Sequence, residues 1–114
     1  MNKPKFLDDP AFKSLRSGDV ASFVRESQGR TTVDCTDADF RATDFRPFDL
    51  KKVVLKGAYL KDADLRGCDL SHMDLEGCSI HNAKIGGAYF PQNLHASEIL
   101  LSVQHGTRMR MSKS

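Results

Sequence analysis

No apolar run in this chain approaches the ~18 residues that a membrane-spanning helix needs. The N-terminal stretch MNKPKFLDDPAFKSLRSGD has no apolar h-region, so no secretion signal is expected. Cysteine is scarce: there are three, an odd number whose spacing makes no disulfide framework, and a reducing cytoplasm is the expected compartment. Neither sign of charge dominates, with 17 basic and 15 acidic residues and 28% charged overall. That balance exerts no strong pull towards nucleic acid or acidic lipid. With 114 residues, the chain suits one domain and one modest core.

What the chain does have is a beat of five. Large apolar residues stand at Phe40, Phe45, Leu50, Leu55, Leu60, Leu65, Leu70, Leu75, Ile80, Ile85 and Phe90 without a slip. Two places before each comes a second inner residue, usually slimmer: Ala38, Thr43, Phe48, Val53, Ala58, Ala63, Cys68, Met73, Cys78, Ala83 and Ala88. VDCTD, residues 33–37, is a degenerate further unit centred on Cys35. The place just before the centre is Asp at 34, 39, 44, 49, 64, 69 and 74. A helix would need apolar spacings of three and four, and here its apolar face would smear round the cylinder. Each unit instead reads as a very short extended piece with two residues pointing inward, followed by a two-residue corner. The last corner place holds Gly57, Asp62, Gly67, Gly77, Asn82 and Gly87, residue types that tolerate the positive φ of a type II turn. Pro47 cannot take positive φ, so the corner between Phe45 and Phe48 is expected to be of another type.

Repeating such a corner winds a chain into a solenoid that buries its inward residues. The units ADLRG (63–67) and CDLSH (68–72) resemble the pentapeptide-repeat family, and the resemblance covers residues 33 to 92. It implies an all-β solenoid, a right-handed quadrilateral β-helix with four units per coil. Twelve units then make about three coils, a prism ~14 Å tall at the usual strand spacing. Residues 20 apart should stack: Phe45 on Leu65 on Ile85, Phe48 on Cys68 on Ala88. Phe48 departs from the family's small residue.

The flanks read as covers for the two open ends. Residues 1–32 form the expected N-terminal helical cap. Asp9 and Pro10 start one short helix that Gly18 ends, and Asp19 caps a second, VASFVRES. Phe6, Phe12, Leu15, Phe23 and Val24 are expected to face the first coil. Residues 93–107 form the C-terminal capping helix, stopped at Gly106, with Ala96, Ile99, Leu100 and Val103 as its lid face and Leu101 opposite. Residues 108–114 read as a basic, mobile tail.

Chemistry finds little purchase. Cys68, His72, Cys78 and His81 have the composition of a zinc site, but the repeat phase sends the thiols inward on opposite walls and the imidazoles outward. The same divergence defeats a Cys–His catalytic pair. Serines and threonines lie in no nucleophile motif, and the glycines follow the corner beat rather than a phosphate loop. We therefore expect no enzyme, no metal and no cofactor.

Six successive units carry a base directly after the centre: Arg41, Arg46, Lys51, Lys56, Lys61 and Arg66. Wound on a prism, these form a basic spiral, a candidate interaction surface. Asp39, Asp44, Asp49 and Asp64 are interleaved with them and are expected to point outward. Tyr59 and Tyr89 are the only exposed aromatics expected there, so no stacking ladder for single strands accompanies the bases. The function expected is a non-enzymatic binding module for protein–protein interaction, its partner unreadable from the sequence. The alternative that the resemblance implies is a DNA-mimic modulator of DNA gyrase, which the near-neutral charge of the repeats disfavours. A twofold homodimer through residues 94–110 is also expected, with Leu94, Glu98, Leu101 and His105 as the candidate interface.

Overall fold

The computed structural model describes residues 3–113; the outermost residues of the two flanking segments, 1–2 and 114, lie outside it. The beat of five becomes a chain of turns. At every corner from Cys35 to Ala88, the N–H of the first inner residue of one unit donates to the C=O of the centre before it: Ala38 to Cys35, Thr43 to Phe40, and so on to Ala88 to Ile85. These are β-turns. All six corner residues singled out by type have positive φ, and so do Asp37 and Ala42. Gly57 is doubly constrained: its φ is +72°, and a Cβ there would collide with Asp37 Oδ1. Pro47, Lys52 and His72 do not have positive φ.

Layers stack at a spacing of twenty residues. Phe40 N–H donates to Tyr59 C=O and Tyr59 N–H returns a bond to Ala38 C=O; Leu60, Leu65 and Leu70 repeat the pattern on Ser79, Lys84 and Tyr89. Parallel bridges join Asp39 to Tyr59, Asp44 to Asp64, Tyr59 to Ser79, Asp64 to Lys84 and Asp69 to Tyr89. The units are so short that only β1 (Val33–Asp34) and β2 (Val53–Val54) pair as strands, in parallel. The centres from Cys35 to Ile80 are buried, while Ile85 and Phe90, in the last layer, are half-buried.

One stretch of this ladder is unzipped. Between layers, Leu50, Lys52 and Leu55 N–H find no acceptor among the described residues, and neither do Asp69 and Asp74 N–H, whereas Phe40, Phe45, Leu60 and Leu65 N–H, and Tyr59 and Asp64 N–H, are bonded. The slim inner places explain the difference. Ala38, Ala58 and Cys78, or Thr43, Ala63 and Ala83, let neighbouring layers approach to the ~4.8 Å that a backbone bond needs. On the unzipped sides Phe48 sits over Cys68, and Met73 over Val53. The missing bonds coincide with these bulkier side chains, and bonding resumes with Cys68 against Ala88 and Val33 against Val53.

Both ends are covered. α1 (Pro10–Ser17) starts at Asp9, whose carboxylate accepts from Ala11 N–H, and ends at Gly18. α2 (Val20–Ser27) starts at Asp19, whose side chain accepts from Ser22 N–H. Phe12, Leu15 and Phe23 are buried against the first layer, with Phe12 packed on Phe40 and Phe23 edge-on to Phe48. Phe6 and Val24 depart from expectation: they are 65% and 61% exposed. Phe6 instead stacks outside α1 on the Arg16 guanidinium, and Lys5, just before it, bridges the open edge at Ala38.

At the other end, α3 (Ala96–His105) stops at Gly106 in the left-handed conformation. Its covering face is only in part the one the apolar pattern indicated: Ile99 and Val103 are half-buried against the core as expected. Ala96 and Leu100 are exposed, and the fully buried position is Ser102. Its hydroxyl accepts from Ile80 N–H and donates to Thr107 C=O, so a polar residue closes the edge where an apolar one would leave that N–H orphaned. Nor is the segment from residue 108 a mobile tail. Met109 is fully buried and exchanges two bonds with the edge at Gly77 and Cys78, and Arg108 Nη1 donates to the carbonyls of Gly57 and Gly77 on adjacent layers.

Candidate interaction surface

The aspartate before each centre is a staple for its corner. Oδ1 of Asp34, Asp39, Asp44, Asp49, Asp64, Asp69 and Asp74 each accepts the N–H two residues on, at 3.0–3.2 Å. This is the local side-chain-to-backbone bond that short polar residues offer a turn. The staple draws the following base back onto it. Arg41, Arg46 and Arg66 pair with Asp39, Asp44 and Asp64 at 2.9, 2.9 and 2.6 Å, and Arg46 also reaches Asp64 across the layers at 3.2 Å.

Asp39 and Asp64 therefore do not point freely outward, as expected from the sequence, but are buried beneath arginine. Burial pushes the Asp39 carboxyl up, but the Arg41 side chain and amide, with Arg16, outweigh it and hold it below its ordinary value. The Arg66 guanidinium does the same for Asp64 against the effect of burial.

The basic spiral is thus largely neutralised. Lys56 lies 3.8 Å from Asp74, while Lys51 and Lys61 have no carboxylate partner among the described residues. The twenty-residue register stacks Arg41 with Lys61 and Arg46 with Arg66 but sends Lys51 and Lys56 to other sides. Tyr59 is half-buried under Arg41, and Tyr89 stays exposed.

The cysteines are buried structural thiols. Burial raises Cys35 and Cys78 to about 12 and pushes Cys68 up as well, and Cys78 Sγ donates to Leu55 C=O. Among the described residues no three His, Cys, Asp or Glu side chains are grouped to hold a metal ion, and no helix is long and apolar enough to cross a membrane.

Of the candidate dimer residues, Leu94 is buried within the chain, so it cannot meet a second copy. Glu98 accepts from Arg110, through its backbone N–H and its guanidinium. Leu101 and His105 remain exposed, joined by Leu100. Beside them the last layer is only half closed: Ile85, Gly87 and Phe90 N–H have no acceptor among the described residues.

A second exposed feature escaped the sequence. Val20 and Val24 on α2 form one wall of a groove of about 440 Å³, floored by Phe23 and Phe48 and rimmed by Lys51 and Lys52. The sequence signal for it was Phe48, the one aromatic in a slim inner place. A smaller depression of about 210 Å³ adjoins it, in the unzipped strip between Leu50 and Cys68.

A family model described as pentapeptide repeats matches residues 34–71 and 54–92, in eight copies. Comparison with curated proteins and with solved structures gives no match.

Proposed function

The chain belongs to the pentapeptide-repeat family, and on that premise we propose that it is a non-enzymatic binding module that docks another protein on its sides or capped ends. Its repeats wind as a right-handed, four-sided β-helix of about three coils. The twenty-residue register and the turn every five residues support that architecture.

The observation that carries the functional reading is where the reactive groups go. Seven aspartates staple corners, three arginines pair with them, and the thiols are interior. What the molecule offers a partner is shape and surface, as solenoids commonly do. The three free cysteines suit a reducing cytoplasm.

We further propose that two copies meet through the C-terminal end, around Leu100, Leu101 and His105. Exposed leucines beside an unpaired edge support this, since burying both lowers the free energy of the pair.

Affinity capture from the native cell, followed by mass spectrometry, tests the module. A saturable protein partner that survives stringent washing is the expected result. Recovery of no protein partner, or potent inhibition of gyrase supercoiling by the purified protein, would overturn it.

A further inference from the structure

We propose that the groove between α2 and the Phe48 corner is the docking site for a short apolar segment of a partner protein that carries carboxylates beside its apolar residues. The proposal rests on the binding-module reading and specifies where and what the module binds.

Three observations converge on the groove. Its floor and wall are apolar: Phe23 and Phe48 meet edge to face at 5.4 Å, and Val20 and Val24 stand 37% and 61% exposed above them. A helix of a small domain normally turns its valines inward. α2 buries only Phe23 and Ser27 and leaves these two uncovered. Second, the rim is positive. Among the described residues Lys51 has no carboxylate partner, and Lys52 makes only a 3.3 Å bond to Ser27 C=O. The one acid on the rim, Asp49, already accepts the Lys51 N–H. Third, the adjoining strip is where the ladder is unzipped, so Leu50 and Lys52 N–H lack acceptors among the described residues. Ammonium groups and spare N–H donors both favour oxygen-bearing, negatively charged groups, while the floor favours aliphatic or aromatic side chains. A volume of about 440 Å³ accommodates a few such side chains rather than a whole domain face.

The groove owes its existence to Phe48. In the slim inner place its ring is too large to lie flat beneath the next layer. It meets Phe23 edge to face across the groove floor, beside the side of the ladder where interlayer bonds are missing.

The full-length protein, immobilised, is panned against a phage-displayed library of random peptides. The expected consensus joins aliphatic or aromatic residues to Asp or Glu. The consensus peptide, titrated by fluorescence polarisation, should bind roughly tenfold or more weakly to Val24→Glu and to Lys51→Glu. Both positions are exposed, so both variants should melt as the wild type does. Lys61→Glu, elsewhere on the basic spiral, should bind normally. A consensus without acids, binding indifferent to Val24→Glu, or no enrichment would overturn the proposal.

The same variants used in capture from the native cell separate the two levels. A partner that Val24→Glu and Lys51→Glu still capture sinks the groove and leaves the module standing. Absence of any partner for the wild type sinks the module.

Discussion

If Phe48 parts the layers, trimming it should restore what it prevents. In Phe48→Ala, Leu50 N–H and Asp69 C=O, and Asp69 N–H and the residue-48 C=O, become free to approach as their counterparts do at Phe45–Asp64 and Thr43–Asp64. Removing a buried phenylalanine ring costs about 3–5 kcal/mol. Two regained backbone bonds at ~0.5–1.5 kcal/mol each return about 1–3 kcal/mol.

Phe45→Ala is the matched control. It loses the same ring from an equally regular position, fully buried and already bonded, with nothing to regain. Urea titration should therefore show Phe48→Ala to be milder than Phe45→Ala by about 1–3 kcal/mol. Native-state amide exchange supplies the residue-level reading: Leu50 and Asp69 exchange fast in the wild type and become protected in Phe48→Ala. Equal destabilisation by the two substitutions, with Leu50 and Asp69 still fast, would refute the wedge.

Leu65→Asp buries a charge with no partner in the middle layer and should abolish cooperative unfolding, whereas Arg66→Ala should shift the melting temperature only slightly; comparable curves would mean the repeat phase is misread. Ala42 holds φ 58° without being glycine, so Ala42→Gly should stabilise by about 0.5–1 kcal/mol in urea melts, and a loss would show that the corner is relaxed. Asp39, Asp44 and Asp64 titrate below their ordinary 3.8 when folded, so the stability they confer is complete above that value and is lost as pH falls below it. Urea midpoints should hold from neutrality to about pH 5 and then drop, less steeply in Arg41→Ala; an identical acid slope in that variant would remove the Arg41–Asp39 pair from the account. Light scattering at tens of micromolar should give twice the chain mass, reduced to one chain by Leu101→Glu without loss of the melt, and a wild-type mass of one chain would end the dimer proposal.

Residue type alone located six of the positive-φ corners, because Gly, Asn and Asp advertise that conformation. It could not locate Ala42, which is held there by its neighbours: its N–H donates to Lys61 C=O and the next corner bond follows at Thr43. The helix ends at Asp9, Gly18, Asp19 and Gly106 were legible because capping is local chemistry. Helix faces were legible in part: Phe12, Leu15, Phe23, Ile99 and Val103 pack inward as the pattern indicates, whereas Val24 and Leu100 do not. Ser102 covers the last layer in place of Leu100 because the layer edge presents an N–H, a demand that hydrophobic periodicity does not register. The aspartate ladder was visible as a pattern, but its meaning lay in distances of about 3 Å to amides two residues on. The groove at Phe48 stayed hidden for a similar reason. An odd residue in a regular column tells where the repeat is broken, and only the neighbouring helix shows what the break opens.

The register also governs how such a gene can change length. A deletion or duplication of five residues leaves every corner and inner place locally intact, yet it moves everything beyond it one side round the prism. The N-terminal cap is keyed to one column through Lys5 on Asp37 and Asp39, and the C-terminal cap to the same column two layers on, through Met109 on Gly77 and Cys78 and Ser102 on Ile80. On the proposed four-sided winding, a five-residue step beyond Lys51 would turn the two covers a quarter turn apart and carry the α3 leucines into a new bearing relative to Lys51 and Val24. A step of twenty lengthens the rod and keeps both covers aligned as they are here. Lineages of this chain should therefore gain or lose whole layers between the caps, and a shorter step should survive only where a cap has been rebuilt to meet it.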